Sequence, residues 1–194
     1  MKTKLGSWLS VAVVAALISV SAFWVEAQQN SSKQTTKEQR QTMTAERRAQ
    51  RIKERDAKTA AYVKHIDSIV MSHNFVFYPS SMQQQPAGSM HMLTNPAFEV
   101  GYYSDYIDVY IPFIKGIVPP YYPTVFNYIL TSVSNYTTVQ NDGGWTVTFD
   151  SWLYSGNDYT FKLDIYSSSG TAILNISSMA YNTVTYSGYI TQVY

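Results

Sequence analysis

The chain has 194 residues, no cysteine and a formal net charge of +1. This length suits one domain with accessory segments, and the absence of cysteine excludes disulfides and lipid attachment through an N-terminal cysteine. The near-neutral total conceals two regions of opposite sign. Residues 28–67 contain ten Lys and Arg against five Asp and Glu, whereas the chain from Ser68 onward contains two against seven.

The first 27 residues are typical of a signal peptide. Lys2 and Lys4 form a positive start, the segment from Leu5 to Val25 carries no charge, and Ala27 ends a small-x-small cleavage site. We therefore predict an exported protein, periplasmic or secreted, whose mature chain starts near Gln28. The alternative is an uncleaved membrane anchor, because an apolar run of about 20 residues is long enough to span a bilayer.

A polar linker and an amphipathic helix are predicted next. Residues 28–43 contain almost only polar side chains, which favours a disordered linker. Residues 44–72 are predicted to form a helix, which Thr42 or Thr44 can cap, because apolar residues recur there at spacings of three and four. We expect its last three turns to pack on the rest of the protein, through Tyr62, Val63, Ile66, Ile69 and Val70.

Residues 73–194 show a period of two, which indicates β-strands. Segments such as "NFVFYP", "YIDVYIPF", "WTVTFDSWLY" and "YTFKLDIY" are separated by short turns, and short connections favour antiparallel pairing because parallel strands need long crossovers. We predict a mainly β fold, an antiparallel meander of eight to ten strands that forms a barrel or a sandwich, with one N-terminal amphipathic helix. The helix and the β-domain are expected to form one unit.

Prolines between residues 112 and 123 predict the end of a strand followed by a stiff loop. Pro112 cannot donate a hydrogen bond to a neighbouring strand, so pairing is expected to fail near it. Pro119, Pro120 and Pro123 fix their own φ angles and restrict the residues before them. Such a loop would present Tyr121 and Tyr122 at little entropic cost.

Several short pieces in order resemble domain-of-unknown-function family 4251, a family of uncharacterised exported bacterial proteins. These pieces, "NFVFYP", "YIDVYIPFIKG", "YTFKLDIYSSSGTAILNISS" and "VTYSGYI", extend the resemblance over roughly residues 66–190. Tyr181 stands where the family has an arginine, and residues 124–128 lack the glycines of the corresponding family piece. The resemblance implies an exported, mainly β domain from Gram-negative bacteria and implies no activity.

No arrangement of residues predicts a metal, cofactor or catalytic site. His65 and His73 are eight residues apart, so they do not form the i,i+4 pair that chelates one ion on a helix. No Gly-x-Ser-x-Gly elbow and no glycine-rich phosphate loop occurs. Asp150, Asp158 and Asp164 are expected at turn or outward positions, and no two carboxylates are predicted to face each other across a cleft.

Aromatic residues supply the candidate binding sites. The chain has 17 tyrosines and four tryptophans, which suit either packing between strands or recognition of a partner. If Trp145, Val147 and Phe149 face the core, Trp152 faces away from it, and it is then either covered by the helix or exposed. We select Tyr110, Tyr121, Tyr122 and Trp152 as candidate binding residues.

The leading functional hypothesis is a non-catalytic binding or structural module of the periplasm or cell envelope, with a protein, peptide or glycan of the envelope as its partner. Nucleic acid is not expected, because the basic residues have no interleaved aromatic residues. The first alternative is a carrier of a small apolar ligand inside a barrel. The second alternative is a hydrolase.

Overall fold

The structure, a computed structural model, describes residues 7–86, 88–116, 122–153 and 157–193 and divides into two compact units, Met1–Asp56 and Ala57–Tyr194. One helix, α1 (Ser7–Met71), extends through the first unit into the second. Ten strands follow it. They are β1 (Phe75–Gln84), β2 (Met90–Met92), β3 (Glu99–Tyr102), β4 (Ile107–Lys115), β5 (Tyr122–Leu130), β6 (Ser134–Asn141), β7 (Gly144–Leu153), β8 (Asn157–Tyr166), β9 (Thr171–Ser178) and β10 (Val184–Gln192).

The first unit is helical throughout its described residues. Residues 28–43, predicted as a disordered linker, lie within α1. They contain no glycine or proline, and their Gln, Lys, Glu and Arg residues are good helix formers. Thr44 does not cap a helix start, because its hydroxyl donates to the carbonyl of Arg40, one turn earlier, at 2.6 Å. The predicted boundaries of the signal peptide and the linker stay predictions.

The part of the chain that the structure describes contains no helix both long and apolar enough to cross a membrane.

The last turns of α1 pack on the sheet, as the larger apolar side chains there predict. Ile66, Ile69 and Val70 are buried in the core. The helix ends at Met71, and His73 follows with a left-handed φ of 49°. The His73 N–H donates to the carbonyl of Val70 at 3.2 Å, an arrangement that satisfies the end of the helix.

All ten strands belong to one antiparallel sheet that curls into a half-barrel. Its hydrogen-bonded order is β5-β4-β3-β1-β10-β9-β8-β7-β6, with β2 added beside β1. The mainly β, antiparallel prediction is confirmed, and the choice between barrel and sandwich resolves to a single curled sheet. β5 and β6 form its two ends, although only residues 131–133 connect them.

Aromatic rings fill the buried side of the curled sheet. Phe113 stacks on Phe126 with ring centroids 4.4 Å apart, and Phe149 stacks on Phe161 at 4.7 Å. Tyr186 is buried, and its hydroxyl donates to the carbonyl of Pro112 at 2.6 Å. These stacked rings form part of the buried core.

The failure of pairing expected near Pro112 occurs on one side of β4 only. β4 pairs with β5 from Ile107 to Lys115, with Pro112 opposite Val125. On its other side β4 pairs with β3 only as far as Tyr110. The Pro112 carbonyl accepts a hydrogen bond from the Tyr186 hydroxyl, and no β3 residue pairs with Pro112.

Candidate functional site: a groove around Trp152

Trp152 stands on the outer face of β7, and 70% of its side chain is exposed. Its neighbours in the strand explain this orientation, because Val147, Phe149 and Ser151 are all buried and alternate residues of a strand point to opposite faces. The sequence left Trp152 either covered by the helix or exposed, and the structure shows that it is exposed.

The β7–β8 hairpin places two carboxylates beside this tryptophan. Trp152 pairs directly with Asp158, and Asp150 pairs with Thr160. Residues opposite each other in antiparallel strands have Cβ atoms about 5 Å apart, and diagonal neighbours lie at about 7–8 Å. Asp150 and Asp158 therefore flank Trp152 on one face.

These side chains line an open groove of about 500 Å³, which we call the Trp152 groove. Seven of its nine lining residues carry hydroxyl, amide or carboxylate groups, and the other two are Trp152 and the fully exposed Met179. Its lining residues are Ser134, Asn135, Asp150, Trp152, Asp158, Thr160, Ser177, Ser178 and Met179. None of these residues is basic.

Asp150 is held in place by two hydrogen bonds. Asn135 donates to its Oδ2 at 2.7 Å, and Thr160 donates to its Oδ1 at 2.6 Å. Asn135 reaches this position because the pairing of β6 with β7 shifts register between Ser134 and Thr137, and Asn135 adopts a φ of 52° there. The bonds from Asn135 and then Thr160 lower the pKa of the Asp150 carboxyl below its usual value.

A second open groove of about 540 Å³ lies on the other side of Trp152, toward the end of β5. Ile129, 66% exposed, lies in its wall. Two grooves that share Trp152 therefore carry three exposed apolar side chains, Ile129, Trp152 and Met179. Apolar surface that is contiguous and exposed, with a polar rim, marks an interaction site more often than scattered apolar residues do.

The other candidate binding residues are Tyr110, Tyr121 and Tyr122, and none of them is among the described residues that line the Trp152 groove. Tyr121 lies outside the described residues. Tyr122 begins β5, seven residues from Ile129, which in a strand is about 23 Å. Tyr110 is half-buried on β4, where its ring contacts Phe98 with centroids 5.6 Å apart. A role for these tyrosines in binding stays a prediction.

A smaller cleft of about 240 Å³ opens between the β3–β4 turn and residues 131–133. His73 and Tyr136 lie in its wall, with His73 Nδ1 and the Tyr136 hydroxyl 2.9 Å apart. Tyr102 also borders it, but the Tyr102 hydroxyl is buried and has no hydrogen-bond partner among the described residues. Burial raises the pKa of that hydroxyl. Tyr102, Tyr103, Tyr106 and Tyr136 contribute aromatic side chains to its wall.

The carboxyl group of Asp150 does not suit the role of the acid in a glycosidase. A glycosidase needs one carboxyl group that stays protonated and acts as an acid, whereas the pKa of Asp150 is lowered. Within the described residues no group of three or more His, Asp and Glu side chains is placed to bind a metal ion.

The family of this chain is identified from residues within the second unit. The model of the family described as Domain of unknown function (DUF4251) matches residues 57–190. The chain belongs to this family. A crystal structure of a DUF4251 family protein from Bacteroides eggerthii DSM 20697 is similar, with a TM-score of 0.53 and 17% identity. The match covers 70% of this chain and 91% of that chain, and at this identity it shows the fold alone. No curated protein matches this chain significantly.

Membership in the family confirms the resemblance carried by the strand segments. Tyr181 packs against the core with its ring centroid 6.5 Å from those of Phe113 and Tyr159. In this chain that position therefore contributes to packing.

Sequence reasoning missed the two carboxylates as partners of Trp152. Residues 155–158 are predicted to be a turn, but β8 already begins at Asn157, so Asp158 lies opposite Trp152. A hairpin centred on residue 155 predicts this pair, because Trp152 and Asp158 are equally distant from residue 155 in the sequence. Met179 gave no such signal, since it reaches the groove from the end of β9.

Proposed function

We propose that this protein is an exported, non-catalytic binding module of the periplasm or cell envelope, and that it binds its partner at the Trp152 groove. The observation that carries this proposal is the 70% exposure of Trp152 on a paired strand, between two open grooves. Tryptophan provides a large, rigid contact area with a polar edge, and it is enriched among the residues that dominate binding energy.

The surroundings of Trp152 support binding in two further ways. Ile129 and Met179 extend the apolar surface on either side, while Asp150, Asn135 and Thr160 supply polar groups already fixed by mutual hydrogen bonds. Groups that are fixed before binding lose little entropy when a ligand arrives. Export itself is supported by the positive, then apolar, N-terminal sequence.

The test uses the full chain on an array of neutral oligosaccharides, acidic peptides and basic peptides. We expect at least one class to bind the wild type, and Trp152→Ala to weaken that binding tenfold or more. Tyr166→Ala is the matched control, because Tyr166 is also an exposed aromatic side chain but lies at the far end of β8. If Trp152→Ala binds every ligand as well as the wild type does, the proposed site is wrong.

A further inference from the structure

We propose that the ligand of the Trp152 groove is a positively charged side chain, an arginine or lysine carried by an extended peptide. This inference rests on the proposed function and adds the chemical class of the ligand. It follows from three features of the groove, which are its charge, the state of its carboxylates and the position of its aromatic ring.

The charge of the groove favours a cation. Asp150 and Asp158 both line it, and no lining residue carries a positive charge. Lys162 is a diagonal neighbour of Asp150 across β7 and β8, but it does not line the groove and forms an ion pair with Asp164 at 3.1 Å. From Ser68 onward the chain carries two Lys and Arg against seven Asp and Glu, so the wider surface has the same sign.

The Asp150 carboxylate can accept further hydrogen bonds from a cationic donor. Its two oxygens each accept one hydrogen bond, from Asn135 and Thr160, and a carboxylate oxygen can accept two. The same bonds lower its pKa, so the group is charged at neutral pH. Hydrogen bonds from guanidinium or ammonium groups to a charged carboxylate are roughly twice as strong as bonds between neutral groups.

Trp152 completes the site because a cation above an indole face is attracted by its π-electrons. Asp158 pairs directly with Trp152 across the hairpin, so one cation can contact both the ring and this carboxylate. The exposed Met179 offers apolar contact to the methylene stem of lysine or arginine. A neutral sugar would stack on the ring and hydrogen-bond the polar side chains but would gain no attraction between opposite charges, and an anion would be repelled by both carboxylates.

The experiment compares a nine-residue Gly/Ser peptide that contains two arginines with the same peptide carrying citrulline, which keeps the shape but removes the charge. Binding to the full chain is measured by isothermal titration calorimetry at 25 mM and 300 mM NaCl. We expect the arginine peptide to bind at least tenfold more tightly than the citrulline peptide. We also expect the difference to shrink at high salt, because exposed charges are screened.

Three variants separate a specific site from general attraction. Asp158→Asn should weaken binding of the arginine peptide five- to tenfold, and Trp152→Leu should weaken this binding by a similar factor. Asp142→Asn removes the same charge at the opposite end of β7, in the turn between β6 and β7, and should leave binding unchanged. Thermal unfolding confirms that each variant is folded.

The results distinguish the two proposals. The proposal of a cationic ligand is overturned if the arginine and citrulline peptides bind equally well. It is also overturned if Asp142→Asn and Asp158→Asn lose the same amount of binding affinity. If a neutral oligosaccharide then binds in a manner that requires Trp152, the proposed function stands with a different ligand. If Trp152→Leu changes neither peptide nor oligosaccharide binding, both proposals are wrong.

Discussion

Asp67 links the end of the helix to the sheet, and its removal should destabilise the second unit. Its Oδ1 accepts hydrogen bonds from Trp145 Nε1 at 2.8 Å and from the Ser167 hydroxyl at 2.7 Å. Trp145 and Ser167 are both buried. Asp67→Ala therefore removes two bonds to a charged acceptor and leaves two buried donors without this partner. At about 1–2 kcal/mol for each donor, the free energy of unfolding should fall by about 2–4 kcal/mol.

Urea denaturation followed by tryptophan fluorescence measures this loss, and thermal unfolding should shift by about 6–15 °C for a unit of this size. Asp67→Asn keeps an acceptor oxygen but loses the charge, so we expect roughly half the effect. Lys64→Ala is the control, because Lys64 is exposed on the same helix and the change should cost less than 0.5 kcal/mol. A loss below 0.5 kcal/mol in Asp67→Ala would refute the argument that these bonds hold the helix on the sheet.

Two further predictions concern a pair of buried tyrosines and the carboxylate of the groove. Tyr186→Phe should lower the free energy of unfolding by about 1–3 kcal/mol because it leaves the Pro112 carbonyl without its donor, whereas Tyr102→Phe, which removes an unpartnered hydroxyl, should be neutral or stabilising in the same urea titration. The pKa of Asp150 is lower in the folded protein than in the unfolded chain, where it is about 3.9. The charged carboxylate therefore stabilises the fold above about pH 3.9, and this stabilisation is lost as the pH falls through the pKa of the folded state. Asn135→Gly, which tolerates the positive φ, should raise the pKa of Asp150 in an NMR titration and should be less stable than the wild type at pH 7, with a smaller difference at pH 2. A stability difference that does not change with pH would contradict this assignment.

The alternation of residues allowed much of the fold and one half of the site to be predicted. In β7 the buried positions of Trp145, Val147 and Phe149 predict an outward Trp152, and this holds because the period of a strand does not depend on its neighbours. The carboxylates beside Trp152 were not predicted, because cross-strand partners depend on where the turn ends. Placing Asp158 in the turn rather than in β8 removes it from the tryptophan.

The helix shows the same division between local and long-range information. Its docked turns could be predicted, since Ile66, Ile69 and Val70 form an apolar stripe, and they are buried. Their partners could not be predicted, because Asp67 meets residues 78 and 100 positions later in the chain. Contacts over such separations depend on the complete sheet.

The sequence by itself determined the antiparallel β-structure and the faces of its strands, because periodicity and short turns are local properties. The resemblance of ordered strand segments, and not this periodicity, pointed to the family. Only the tertiary structure decided that Ile129, Trp152 and Met179 adjoin. Ile129 lies on β5 at one end of the sheet, and Trp152 lies on β7, next to the strand at the other end. Met179 directly follows β9. The curl of the half-barrel brings these segments together, and that curl results from the packing of the whole buried face rather than from any one segment.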